Sequence, residues 1–153
     1  MSHLRKRLLA PGIWFFLLVV VLIVSAATKT AAATPAGGNR VVVELTLDPQ
    51  TNKVTANPDP AALHYEKKDY ADWTIAKDSA PFDFTIGIED QTNPEKRKPA
   101  KKLPAPTCSG KGAAKHCASI IPTSAHKGDQ KYSVTVKTPN GPVKTDPEVT
   151  IDP

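Results

Sequence analysis

The stretch CSGKGAAKHC, Cys108 to Cys117, contains both cysteines of the 153-residue chain and sets His116 directly against one of them. Thiols, an imidazole and lysines at such close spacing could bind a metal, run redox chemistry or close a covalent loop. Zinc would draw on Cys108, His116, Cys117 and His126, but the short Cys-x-x-Cys chelate of a structural site is missing. Adjacent His116 and Cys117 also point apart on an extended backbone. Hydrolytic chemistry has no motif to stand on: there is no Gly-x-Ser-x-Gly elbow, and no paired motif sets a base beside a nucleophile. Asp69 and Asp72, which flank the stretch carrying Trp73, read as solvated turn residues. The lysines lack the glycine pattern of a phosphate cradle. A non-catalytic protein is expected.

The compartment decides between a thiol and a disulfide, and the first residues speak to it. Arg5, Lys6 and Arg7 precede an uncharged apolar run of twelve residues, Ile13 to Val24. A basic flank, a short apolar run and small residues at Ser25 and Ala27 form the layout of an export signal cut after Ala27, with Ala31 and Ala33 offering a second cut after Ala33. The run is shorter than the roughly 20 residues of a comfortable bilayer span. A cleaved signal over 1–27 and a small-residue linker over 28–39 are therefore expected. If the segment is retained instead, it is an inner-membrane anchor that holds the domain outside. Either outcome is periplasmic or secreted, and an oxidising destination makes Cys108 and Cys117 a disulfide. His116 is expected exposed at its edge.

Charge locates a candidate contact surface. Of 20 Lys and Arg, three lie in the signal, which leaves 17 against 15 Asp and Glu, a net of +2. Between Glu95 and Cys117 the balance is far more basic, since Lys96, Arg97, Lys98, Lys101, Lys102, Lys111 and Lys115 face Glu95 alone. This stretch is expected to meet an acidic surface or protein. Nucleic acid is excluded by export and by the lack of aromatics among the lysines.

The elements that must hold these residues are strands. Fifteen prolines and few aromatics disfavour a helical bundle. Val41, Val43, Leu45 and Leu47 alternate against Val42, Glu44 and Thr46, the pattern of a half-buried strand. Shorter strands are expected at Val54 to Ala56, Ala62 to Tyr65, Tyr70 to Ile75 and Phe82 to Ile88, with Trp73 and the phenylalanines at the heart of the core. Gln91 to Thr107, with four prolines and no period, reads as an exposed connection within a basic Pro/Lys-rich segment over 91–117. Lys131 to Lys137 and Glu148 to Asp152 complete the set, and Asn140-Gly141 marks a tight turn. Seven or so strands at this spacing predict one all-β domain over 40–153, an antiparallel Greek-key sandwich, monomeric.

The run NPDPAALHYEKKDYADWTI, the later FDFTI and the ending KYSVTVKTPNGPVKTDPEVTIDP resemble small exported cupredoxin-like domains over roughly Val41 to Pro153. That resemblance implies a two-sheet sandwich, and in many members a copper held by two histidines, a cysteine and a methionine. The first histidine would follow the tryptophan strand, where this chain has Ala76 to Pro81 without one, and the only methionine is Met1. A cupredoxin-like binding or structural domain without metal or other cofactor is therefore expected. The alternatives are a copper or electron-transfer site using His64, Cys117 and His126, and an immunoglobulin-like adhesion module on a retained anchor.

Overall fold

The computed structural model describes residues 35–89 and 97–153. The signal, most of the linker, and Lys96 of the basic stretch lie outside them. Among the described residues no helix is long and apolar enough to cross a membrane.

Among the described residues ten strands form two sheets. The first has the order β2 (Lys53–Asn57), β1 (Asn39–Asp48), β4 (Asp69–Ile75), β7 (His116–Ala118), β6 (Thr107–Ser109). The second runs β3 (Ala61–His64), β10 (Glu148–Asp152), β8 (Gly128–Thr138), β5 (Phe84–Ile88), with β9 (Gly141–Thr145) also paired to β8. One core cluster joins them: Val43, Leu45, Ala71 and Trp73 from the first sheet meet Leu63, Tyr132, Val134, Val136 and Ile151 from the second. The two-sheet, β-rich expectation holds, and the alternation over Val41 to Leu47 places Val43 and Leu45 fully inside. Burying a side chain of that size contributes roughly 1.5–3 kcal/mol. Trp73 and Tyr132 pack at 5.0 Å between centroids, their planes tilted by 52°, within this core. Among the described residues neither the indole Nε1 nor the phenol oxygen has a hydrogen-bond partner, and burial pushes the phenol pKa well above its ordinary value.

The sheets are mixed, not antiparallel. β1 pairs with β4 in parallel, Val43 opposite Trp73, and β3 pairs with β10 in parallel, Leu63 opposite Ile151. After the β1–β2 hairpin the chain crosses to the second sheet as β3 and returns in β4 pointing the way β1 pointed. Alternation dictates which face of a strand is buried and is silent about the direction of its neighbour.

The proline-rich connection is less exposed than its composition suggests. Leu103 is fully buried in the core, and the buried Gln130 of β8 clamps the segment from both sides. Its Oε1 accepts from the Leu103 N–H at 3.2 Å, while its Nε2 donates to the carbonyls of Lys101 and His126 at 3.2 and 3.1 Å. Farther on, Thr107–Ser109 and His116–Ala118 form an edge hairpin that three-residue strands are too short to announce by period. Strand β9 also went unread. At its start the positive φ of the Asn-Gly turn falls on Gly141 (114°) alone, which leaves Pro139 and Asn140 as the loop.

Candidate active site on the outer face of the first sheet

Cys108 and Cys117 are bonded and stand opposite each other in the β6–β7 register. Cys117, opposite Trp73, is buried in the core while Cys108 is exposed on the edge strand, and the next pair in the ladder, Ser109 and His116, lies on the other face of the sheet. One strand farther in, β4 pairs with β7 so that Thr74 faces His116 and Asp72 faces Ala118. Asp72 is thereby diagonal to His116, within reach of its ring. On the far side, β1 brings Arg40 opposite Tyr70.

These placements make a continuous polar chain across four strands. The Arg40 Nε–H donates to Asp72 Oδ2 at 2.7 Å. The other carboxylate oxygen, Oδ1, lies 3.2 Å from His116 Nδ1, and His116 Nε2 lies 2.6 Å from Ser109 Oγ. An ionised carboxylate only accepts, which puts the imidazole proton on Nδ1 and leaves Nε2 to accept from the Ser109 hydroxyl. Asp72 is only 4% exposed. Its expected role as a solvated turn residue is therefore corrected: outward on a strand is not exposed when Arg40 and His116 close over it. Asp69 is corrected likewise. It is buried at the start of β4, where burial alone would raise its pKa. Bonds from the His64 N–H, the His64 ring and the Asn39 amide hold that pKa below the ordinary value instead. His116, expected at an exposed edge, is half-buried between Asp72 and Ser109.

A cleft of about 410 Å³ is lined by three members of this polar chain, Arg40, Asp72 and His116, together with Tyr70, Thr74, Ala113, Ala114 and Lys115; Ser109 adjoins it only through His116. Its wall is the Gly110–Lys115 segment, folded back by a 3₁₀ turn at Gly112–Ala114. Gly110 is required for that path: it sits at φ 76°, and a Cβ there would meet the Ala114 carbonyl oxygen at 2.1 Å. Lys115, with a side chain 13% exposed, donates to Asp83 and lies 5.5 Å from the Phe84 ring centroid. Its hydrogen bond holds the Asp83 pKa below the ordinary carboxylate value.

The seven basic residues read as one contact surface do not form one. Lys96 lies outside the described residues. Arg97 bonds Asp152 at 3.0 Å and approaches Asp129 at 3.6 Å. Lys98 and Lys102 line a separate depression of about 250 Å³ with Glu89, Asp129, Gln130 and Lys131. Lys101 is exposed beside the buried His126, and its charge adds to the lowering of that imidazole's pKa. Lys111 is exposed at the start of the 3₁₀ turn, and Lys115 serves the cleft. The three residues of the copper alternative are likewise not gathered. The Cys117 sulfur is in the disulfide, His64 Nδ1 lies 3.0 Å from Asp69, and His126 Nδ1 accepts from the Thr123 N–H at 2.9 Å. Among the described residues no group of three or more His, Cys, Asp and Glu is placed to hold a metal ion.

The Ser109–His116–Asp72 chain went unread because its members are far apart in sequence, yet half of it was available. If Cys108 and Cys117 are opposed in a hairpin, the antiparallel register opposes Ser109 and His116 as well. No protein-family model matches the chain and no curated protein matches its sequence, so the chemistry of the site carries the functional argument.

Proposed function

We propose that this chain works outside the cytoplasm as a cupredoxin-like sandwich domain that binds a small, uncharged polar ligand in the cleft over β4 and β7. Export is supported by Arg5 to Arg7 ahead of the apolar run and by the Cys108–Cys117 disulfide, which belongs to a non-reducing environment. The observation that carries the binding reading is the cleft itself. Its volume falls in the range of small-molecule sites, and hydrogen-bonding groups converge there beside two alanines. Both of its cations already have carboxylate partners, Arg40 with Asp72 and Lys115 with Asp83, so the cleft offers polarity without net charge.

The test is a titration of the oxidised protein with N-ethylacetamide, followed by amide chemical shifts. Saturable shifts confined to Thr74, Ala113, Ala114, Lys115 and His116 are expected. Shifts that stay linear with concentration, or that centre on the depression beside Lys98 and Lys102, would remove the cleft as the ligand site. A second reading keeps an acidic partner for the basic connection, on the ground that Lys98, Lys102 and Lys131 share one depression.

A further inference from the structure

We propose that Ser109, at the margin of the cleft, is a nucleophile that hydrolyses short-chain carboxylic esters, with the cleft-lining His116 as general base and Asp72 as the residue that positions it. The connectivity is the one this chemistry needs. The nucleophile's oxygen is 2.6 Å from one ring nitrogen of the base, and a buried carboxylate holds the other nitrogen. Arg40 fixes the far oxygen of that carboxylate, so the acid cannot swing away from the ring. The covalent hairpin keeps Ser109 and His116 in register beneath the half-buried hydroxyl. A purely structural polar ladder would not need an imidazole with both nitrogens engaged in this order beside an open cleft.

The reaction runs in two balanced halves. Ser109 Oγ bonds to the acyl carbon while its proton passes to His116 Nε2. The ester C–O bond then breaks, and the departing oxygen takes that proton and leaves as the alcohol. Water next bonds to the acyl carbon and gives a proton to Nε2. The acyl–Oγ bond breaks, Ser109 recovers the proton, and the acid is released. The substrate class rests on the cleft reading: an uncharged ester of a few carbons matches a cleft whose charges are internally paired.

A fluorophosphonate tests the nucleophile directly, because the serine oxygen displaces fluoride and keeps a phosphonyl mass. With the full-length oxidised protein, peptide mass mapping is expected to find the adduct on Ser109 at least about 100-fold faster than on the exposed Ser124. His116→Ala should slow labelling by a similar factor, and added imidazole should restore it, a rescue that a structural role would not give. Asp72→Asn should lower kcat for p-nitrophenyl acetate while leaving KM within about twofold. Ser109 labelled no faster than Ser124 in the unsubstituted protein would overturn the proposal without recourse to any variant. So would labelling indifferent to His116. Saturable N-ethylacetamide binding with no Ser109 adduct would leave the binding reading standing and remove this one. The adduct without amide saturation would keep Ser109 as the nucleophile and remove both the binding reading and the substrate class drawn from it.

Discussion

At the scale of single residues, the histidines show how strongly neighbours outweigh residue type. His126 closes the 3₁₀ turn Ser124–His126, is almost fully buried, and accepts the Thr123 N–H on Nδ1. Burial, and secondarily the charge of Lys101, lowers its pKa from the ordinary value. A histidine whose folded pKa is depressed binds fewer protons folded than unfolded. Its stabilisation is complete above the unfolded pKa, about 6.5, and is lost as pH falls through and below that value. The urea midpoint of the native protein is therefore expected to drop between pH 7.5 and 5.5. In His126→Asn, which keeps an acceptor oxygen for Thr123, that drop should be much reduced; equal drops in both proteins would place the titrating group elsewhere. The lowered carboxylates Asp69 and Asp83 do not confuse this window, since their contributions persist above about pH 4 and fade only below it. None of this was legible in sequence. In sequence His126 was only a candidate metal ligand and Asp72 a solvated turn residue, because a side chain's accessibility depends on what a distant segment lays over it.

At the scale of elements, legibility followed length. The ten-residue β1 declares itself through the alternation over Val41 to Leu47, and the eleven-residue β8 does so through Tyr132, Val134 and Val136. The β6–β7 hairpin, three residues a side, could be found only through its covalent bond. That bond joins the outer edge of the first sheet to a partner, Cys117, that is itself core. Closing a loop of sequence separation 9 stabilises the fold by roughly 2–3 kcal/mol in the chain-entropy model. The double variant Cys108→Ser, Cys117→Ser should lose about that much in equilibrium denaturation. Reductant should lower the native protein's midpoint and leave the variant's unchanged. If reductant has no effect on the native protein, the hairpin is held by its ladder and by Gly110 alone. The same experiment bears on the site, because the bond that staples the edge also sets Ser109 against His116.

Across the whole molecule, the fold redistributes charge that the sequence places in one block. The excess from Glu95 to Cys117 reads as a single basic face, but Arg97 is drawn to Asp129 and Asp152, and Lys115 to Asp83. Gln130 and Leu103 pin the chain between them to the second sheet. Lys98, Lys101 and Lys102 are left exposed on that anchored segment, while Lys111 stands apart at the hairpin loop. Long-range attraction to a polyanion scales with locally concentrated charge and fades over a Debye length of about 10 Å at 0.1 M salt. On a heparin column, Lys98→Ser, Lys101→Ser, Lys102→Ser together should therefore elute at clearly lower salt than the native protein. Lys111→Ser alone should shift elution little. Arg97→Ser removes the same charge as any one lysine but also removes the ion pairs to Asp129 and Asp152, so its elution is read only beside a denaturation curve. Elution of the triple variant at the native position would show that the connection is merely solvated. The cleft on the other sheet would then be the surface through which this domain meets its ligand.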